Sequence, residues 1–182
     1  MKSHVWFTLA ALASSLISFN AACAVDMFIK IKDIEGESVK PGHEGEIDIL
    51  AWNWGTSHTV KQRMKRPTRY SEVATNMDMT FTKKMDASSS DLFRFCNNGA
   101  DLGKVELIVI NPKREFDTII SIQFHDVTCV AYRISGSGDD AVPTESVSFN
   151  YSKIEFNYKQ QNEDGTTQET ELGYDLTKGK KV

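Results

Sequence analysis

The chain has 182 residues, of which 40% are hydrophobic and 25% charged, and its formal net charge is −4 at pH 7. This mildly acidic composition argues against nucleic acid or an anionic membrane as a main partner, because both favour proteins of net positive charge. Three cysteines are too few for a scaffold that is held together by disulfides.

The first 24 residues have the three-part layout of a secretory signal peptide. Lys2 gives a basic start, residues 5–19 carry no charge, and Ala22-Cys23-Ala24 places small residues where a signal peptidase reads. Fifteen residues of helix reach about 22 Å, which is too short for a hydrocarbon core of ~30 Å. Cleavage after Ala24 is therefore predicted, with an uncleaved leader and lipidation of Cys23 as the alternatives.

Residues 25–182 are predicted to form one domain, large enough for a real core. Because Lys2 is the only formally charged residue of the leader, this domain keeps 20 basic and 25 acidic side chains, a formal charge of −5. Cys96 and Cys129 form either one disulfide in an oxidising compartment or two buried free thiols.

Nine segments after the leader show the period-2 alternation of β-strands. The first, residues 26–34, places Met27, Ile29 and Ile31 on one face. The last two are expected to pair across a hairpin turn at residues 162–166. The other eight segments are residues 46–54, 79–83, 104–110, 118–127, 128–135, 145–151, 153–161 and 170–176.

The second predicted strand carries both tryptophans of the domain and has apolar residues on both faces. One face holds Ile47, Ile49, Ala51 and Asn53, and the other holds Leu50, Trp52 and Trp54. A strand of this kind is covered on both sides, either inside a barrel or by a neighbouring subunit. Trp52 and Trp54 are therefore candidates for the core or for a subunit interface.

One helix is predicted within residues 88–99. Ser88 is the candidate N-cap, with Asp91 three residues later as in a capping box, and Gly99 is a natural C-terminal stop. The apolar stripe is Leu92, Phe95 and Cys96. One short helix among about eight to ten strands predicts a mainly β fold, a β-barrel with the helix packed on its side.

The sequence predicts no catalytic, cofactor or metal site. The histidines show no HxxxH or HExxH spacing and the cysteines no CxxC spacing, so no familiar zinc site is encoded. A GxSxG elbow and a glycine-rich phosphate loop are also missing from the sequence. A solvated turn is expected at residues 43–46, around His43, and a structural role is expected for His125. The chain is therefore predicted not to be an enzyme.

A basic segment, residues 60–69, contrasts with the acidic remainder of the domain. It suits either a solvated loop or a contact with an acidic surface. A molecule that is basic at one end and acidic elsewhere is suited to head-to-tail self-association. The candidate subunit-interface residues of this segment are Lys61, Arg63, Lys65 and Arg66.

Five collinear segments carry a resemblance that covers residues 24–176. They are "AVDMFIKIKDIEGES", "EIDILAWNWG", "FTKKMD", "SGSG" and "PTESVSFNYSKIEFNY". Together they resemble the haemolysin-coregulated protein (Hcp) family, the inner-tube proteins of bacterial type VI secretion. The resemblance implies a β-barrel with a flanking helix, hexameric rings that stack into a hollow tube, and small effector proteins carried in the lumen. It also implies spike and sheath proteins as partners.

Carried over position by position, the resemblance places Asn53 on a lumen-facing strand that contacts cargo. The residue at this position is typically small in the family, so the larger amide implies a different cargo preference. The segment after Gly55 corresponds to an extended loop that reaches adjacent subunits. A turn near the ring rim is formed by Ser135, Gly136, Ser137 and Gly138.

The predicted leader departs from the family pattern, because tube proteins of this family leave the cytoplasm without a cleavable signal. Two roles follow from this. The chain is either a subunit of a type VI secretion tube or an exported ring-forming binding module that is not used as a tube. An exported module would be found in the periplasm or outside the cell. A tube subunit would assemble in the cytoplasm and be exported by the type VI machine. Neither nucleic acid nor, after leader removal, a membrane is an expected partner.

Overall fold

The computed structural model describes residues 25–59, 73–111, 118–161 and 166–182. Within these ranges the chain forms one helix, α1 (Ser89–Asn98), and thirteen antiparallel strands, so the predicted mainly β fold with one short helix is confirmed. The strands are β1 (Asp26–Ile31), β2 (Ile47–Asp48), β3 (Ala51–Asn53), β4 (Thr56–Thr59), β5 (Val73–Asn76), β6 (Met79–Lys84), β7 (Val105–Ile110), β8 (Thr118–His125), β9 (Thr128–Ser135), β10 (Thr144–Asn150), β11 (Lys153–Gln161), β12 (Thr167–Asp175) and β13 (Lys180–Lys181).

Three differences account for the larger number of strands. The predicted strand 46–54 is divided into β2 and β3, the connection after Gly55 contains the β4–β5 hairpin, and the C-terminus adds the short β13. The predicted pairing of the last two long strands is confirmed, because β11 and β12 pair from Lys153↔Asp175 to Gln161↔Thr167.

Two sheets enclose the main core. Sheet A has the order β13-β12-β11-β8-β7-β1-β2, and sheet B has the order β3-β6-β10-β9. The rings of Phe81 and Phe149 from sheet B meet edge to face, with centroids 5.3 Å apart. Burying an aliphatic or aromatic side chain stabilises the fold by about 1.5–3 kcal/mol. Fully buried residues that sheet A contributes to this core include Ile29, Ile47, Val105, Leu107, Ile122 and Phe124.

The chain changes sheets in the middle of residues 46–54. The backbone N–H of Ile49 donates to Met27 O of sheet A (3.0 Å), and the next N–H, that of Leu50, donates to Thr82 O of sheet B (2.7 Å). This change explains the two apolar faces of the predicted strand. Before it, one set of alternate side chains points into the core, and after it the other set does.

Helix α1 is capped by Asp86 and not by Ser88. The Ser88 backbone is already helical (φ −70°, ψ −17°), and its side chain makes no cap hydrogen bond. Instead Asp86 Oδ1 accepts from Ser88 N (2.8 Å), while Ser89 Oγ accepts from Asp86 N (3.0 Å). The predicted Ser88–Asp91 capping box is therefore wrong, because the reciprocal box lies two residues earlier. Asp91 is paired with Arg94 (2.7 Å).

The end of the helix is as predicted. Gly99 adopts the left-handed conformation (φ 64°), and its N–H donates to Phe95 O (3.0 Å). Of the predicted apolar stripe, Leu92 is fully buried, and Phe95 and Cys96 are half-buried against the core. Among the described residues, no helix has the length and hydrophobicity to cross a membrane.

A loop covers a small apolar cluster on the outer face of sheet A. The cluster is Phe28, Ile108 and Ile110. The His43 ring stacks on Phe28 with centroids 4.4 Å apart and planes 2° apart, and His43 Nδ1 lies 2.8 Å from Glu46 Oε2. The solvated turn expected at residues 43–46 is therefore wrong, since the Glu46 side chain is only 7% exposed.

Candidate functional site

The outward face of sheet B is a wall of small, neutral side chains. Phe81 and Val147 point into the core, so the residues on either side of them in β6 and β10 point away from it. The strand register places these residues in two rows across the sheet. We define the polar wall as Ala51, Thr82 and Ser146 in one row, and Asn53, Thr80 and Ser148 in the other.

The polar wall offers hydrogen bonds without charge. Thr80 and Ser148 share a hydrogen bond between their hydroxyls (2.9 Å). The exposed Asn53 amide provides both donors and an acceptor. Arg133 lies beside Ser146 on β9, at the edge of the wall. Such a surface can contact polar groups of a passing protein without selecting for one sign of charge.

Trp52 and Trp54 support the wall from behind. Both side chains are half-buried and pack against the core. Trp54 Nε1 donates to Tyr151 OH, and Tyr151 OH donates to Met77 O (3.3 Å). Burial raises the pKa of Tyr151, so its hydroxyl stays protonated and able to donate. This anchoring holds β3, and with it Asn53, against the core.

Sheet A has seven strands and sheet B has four, so part of sheet A extends beyond sheet B. The strands β11 and β12 expose apolar residues there. Across β11 and β12, Ile154 pairs with Tyr174 and Phe156 pairs with Leu172, on the face that carries the core. Ile154 is buried, but Leu172 is 49% and Tyr174 is 37% exposed. We define this surface, the overhang, as Phe156, Tyr158, Leu172 and Tyr174.

A buried ionic network lies between helix α1 and sheet B. Lys83 and Glu145 are both fully buried, and Lys83 Nζ lies 3.0 Å from Glu145 Oε2. Lys83 Nζ also contacts Asp86 Oδ1 (2.7 Å) and Ser89 Oγ (3.1 Å). Tyr132 OH donates to Glu145 Oε1 (2.7 Å). Burial and the Glu145 carboxylate raise the pKa of Tyr132, which keeps this hydroxyl a donor.

The outer face of sheet A carries a groove of about 460 Å³ with mixed charges. Its lining includes Lys153 and Glu155, whose charged groups lie 2.5 Å apart, and His125 Nε2 is 3.5 Å from the same carboxylate. Hydrogen bonding to Lys153 is the largest cause that lowers the pKa of Glu155. Within the described ranges, no group of three or more His, Cys, Asp or Glu side chains is arranged to hold a metal ion.

The Asp175 carboxylate holds the turn between β12 and β13. It accepts from Thr177 Oγ1 (2.7 Å) and Lys178 N (2.9 Å), and it pairs with Lys178 Nζ (2.9 Å). These bonds, the Thr177 hydroxyl first, hold the pKa of Asp175 well below its usual range. The turn brings the C-terminal Val182 against Gly173, where a Cβ would lie 3.1 Å from Val182 atoms.

Replacing Asp175 with Asn is expected to lower the melting temperature at neutral pH and to have little effect in strong acid. A carboxylate whose pKa is lowered by folding stabilises the native state above its unfolded pKa of about 4, and this stabilisation is lost as the pH falls through the folded value. Thermal unfolding of both proteins from neutral pH down to about pH 2 measures the difference. A difference that does not shrink in acid would contradict this role.

The other predicted site residues fall into two groups. Ser135 ends β9 and is exposed, and in the turn that follows the backbone N–H of Ser137 donates to Asp140 Oδ2 (3.1 Å). Gly136 and Gly138 are exposed in the same turn. The predicted site residues that lie outside the described ranges are Ala22, Ala24, Lys61, Arg63, Lys65 and Arg66.

Sequence reasoning missed the hydroxyls of the polar wall and the whole overhang. Both leave a period-2 signal in the sequence: Thr80 and Thr82 alternate with apolar residues in β6, as Phe156 and Tyr158 alternate with polar residues in β11. That signal shows that each strand has two different faces, but it does not show which face another part of the protein covers. Whether a face is covered depends on how far the opposite sheet extends.

Comparison with known proteins gives consistent matches. Residues 28–158 match the family model described as "Type VI secretion system effector, Hcp". Protein hcp1 of Pseudomonas aeruginosa is 34% identical over 143 residues, covering 78% of this chain and 88% of that protein. A type VI secretion system effector from Yersinia pestis is 30% identical, with a TM-score of 0.65 over 82% of this chain and 99% of that one. Hcp1 from Salmonella typhimurium, at 24% identity, has a TM-score of 0.68 and covers 87% of this chain and 100% of its own, a likeness of fold alone.

Proposed function

Because this chain belongs to the Hcp family of type VI secretion proteins, we propose that it is a tube subunit of which six copies close into a ring and rings stack. Proteins of this family are secreted. The role is structural: the chain supplies a wall and contact surfaces, and no bond is made or broken. Assembly of this kind needs a heterologous interface that closes around the ring.

The overhang is the observation that carries this proposal. Leu172 and Tyr174 are exposed on the same face of sheet A that carries the core of the subunit. Exposed apolar patches rimmed by polar residues are typical of protein–protein contacts. We infer that the adjacent copy in the ring covers the overhang, as sheet B covers the rest of this face.

The polar wall is proposed to line the lumen. Its side chains are small and uncharged, which suits a passage that small effector proteins enter and leave. Asn53 is the proposed cargo contact, and its amide favours polar cargo surfaces over apolar ones. Spike and sheath proteins of the secretion machine are the further partners in this proposal.

Other contacts between copies are proposed from the sequence. Trp52 and Trp54 keep exposed portions beside the wall and border the next subunit in the ring. The turn Ser135–Gly138 lies at the rim, where stacked rings meet. The basic residues Lys61, Arg63, Lys65 and Arg66 reach an acidic surface of an adjacent copy.

The mass of the purified full chain in solution tests the ring. Light scattering after size-exclusion chromatography at micromolar concentration is expected to give a hexamer for the wild type and a monomer for Leu172→Glu. Ring formation would bury the new carboxylate without a partner, which is costly. Val39→Glu is the matched control, because Val39 is 89% exposed in a loop of sheet A and should leave the hexamer intact. A wild type that is strictly monomeric contradicts the proposal.

The leader-like segment of residues 1–24 favours a second candidate, an exported ring-forming binding module that does not serve as a secretion tube. The N-terminal residue and intact mass of the protein from each cell fraction separate the two. A chain that begins at Val25 in the periplasm supports the exported module. A chain that retains Met1 in the cytosol supports the tube subunit.

A further inference from the structure

Two thiols from different elements lie where helix α1 packs against strand β9. Cys96 lies in the last turn of α1 and is half-buried, four residues after the fully buried Leu92. Cys129 is the second residue of β9 and is 3% exposed. Both are free thiols in this structure. Cys96 packs against the core cluster that contains Cys129, although 33 positions separate the two in the sequence. The same elements touch at Phe93 of α1 and Tyr132 of β9, whose rings meet edge to face with centroids 5.7 Å apart. Cys96 is near enough to Cys129 to raise the pKa of its thiol.

The surroundings of Cys129 keep it in the thiol form. Burial raises its pKa, and the adjacent Cys96 raises it further. Cys129 Sγ also donates to Ala131 O (3.7 Å). Cys129 is therefore held as a thiol in the reduced state of the pair.

The backbone next to both cysteines can adjust to a bond between them. The helix ends at Gly99, three residues after Cys96, in a left-handed turn. On the strand side, the register of β9 with β10 shifts between Phe149, which pairs with Cys129, and Ser148, which pairs with Ala131, leaving Val130 in a bulge. Bulges and helix ends absorb small displacements more easily than the centres of these elements.

We propose that Cys96 and Cys129 form an internal disulfide when the protein is exposed to an oxidising environment, and that this bond fastens helix α1 to strand β9. Secretion takes proteins of this family out of the reducing cytosol, and disulfides persist in oxidising compartments. The inference does not depend on ring assembly, since both cysteines belong to one chain.

The oxidant in the proposed reaction is a small-molecule disulfide such as oxidised glutathione. The Cys96 thiolate, the more exposed of the two, attacks it and forms a mixed disulfide while one glutathione thiolate leaves. The Cys129 thiolate then attacks Cys96 Sγ and displaces the second glutathione. Two protein thiols are oxidised to one disulfide, and one glutathione disulfide is reduced to two thiols. The raised pKa of Cys129 makes this second step the slow one.

The bond would fix the second end of helix α1. Its N-terminal end is already held by the contacts of Lys83 with Asp86 and Ser89. A cross-link between residues 96 and 129 also restricts the unfolded chain, which is the usual source of disulfide stabilisation. The oxidised protein is therefore expected to be more stable than the reduced one.

The test uses the full chain with Cys23→Ser, so that only the pair remains. After incubation with oxidised glutathione, alkylation in denaturant is expected to find no free thiol, and the intact mass should fall by two hydrogens. The melting temperature should rise by about 5–15 °C over the reduced protein. Digestion should yield a peptide that contains both cysteines.

Cys96→Ala is the control, since alanine suits a half-exposed helical position. It should show no oxidant-dependent rise in melting temperature, and Cys129→Ala should behave in the same way. Three results would each overturn the inference: two thiols that remain alkylatable after oxidation, an adduct that stops at one glutathione on Cys96, or a disulfide that lowers the melting temperature.

Discussion

Replacing Lys83 with Met is expected to destabilise the protein by about 3–5 kcal/mol, because it leaves a buried carboxylate without its cation. Glu145 is fully buried, and after the substitution Tyr132 OH would be its remaining partner among the contacts described above. Asp86 would lose its contact with Lys83 Nζ (2.7 Å) as well. Urea unfolding, followed by the fluorescence of the tryptophans at one fixed protein concentration, measures the change in the free energy of unfolding.

Two variants separate the charge from the packing. Lys84→Met removes a positive charge from the next residue of the same strand, where the side chain is exposed, and should change stability by less than about 0.5 kcal/mol. Lys83→Met combined with Glu145→Gln should cost less than the sum of the single changes, because no uncompensated charge remains between these two positions. If Lys83→Met unfolds within about 1 kcal/mol of the wild type, the network does not stabilise the fold in the way we describe.

Replacing Gly36 with Ala is expected to cost about 3 kcal/mol, the upper end of the usual cost of forcing atoms into a packed region. A Cβ at this position would lie 2.4 Å from Glu46 O and 2.6 Å from Ile47 Cα. Both are backbone atoms, so no rotamer change relieves the contact. The displacement would also disturb the hydrogen bond from Gly36 N to Gly45 O (2.8 Å), and with it the loop that covers Phe28.

Gly138→Ala is the matched control for this prediction. The site of its Cβ has no heavy atom within 4 Å, and its backbone does not require a glycine. Alanine there restricts the unfolded chain and should leave stability unchanged or raise it by up to about 1 kcal/mol. Thermal and urea unfolding of both variants make the comparison. Equal effects of the two substitutions would show that residues 36 and 46–47 separate at little cost.

These two predictions concern the contacts that hold the candidate surfaces in place. The Lys83 network joins helix α1 to β6 and β10, two of the strands that carry the polar wall. Gly36 lets its loop approach β2, the last strand of sheet A before the chain crosses to β3 and Asn53. A loss of either contact is therefore expected to affect the wall as well as the stability of the subunit.

The local pattern predicted most elements but not their surroundings. The strands 26–34 and 104–110 and the Gly99 stop follow from alternation and backbone preference, which act over a few residues. Ser88 was a reasonable N-cap by residue type. Asp86 caps the helix because its carboxylate is also fixed by Lys83 on β6, a contact that no local rule contains.

The candidate site divides in the same way. The resemblance to tube proteins pointed to Asn53, and the structure places that residue on the outward face of sheet B. The turn at residues 43–46 was expected to be solvated because it is rich in glycine and charge. Instead the His43 ring stacks on Phe28, and Glu46 accepts a hydrogen bond from Lys30. Phe28 and Lys30 lie in β1, on the other side of the loop that leads to residues 43–46.

By itself the sequence determined the mainly β class, the position of the single described helix, the two faces of each long strand and the family. Periodicity and short collinear segments contain this information, because they depend on neighbours along the chain. Only the tertiary structure decided which face of residues 46–54 enters the core, that β11 and β12 extend beyond sheet B, and that Cys96 packs against the core cluster that contains Cys129. These features depend on which sheet each strand joins, and strand pairing is set by the packing of the whole core.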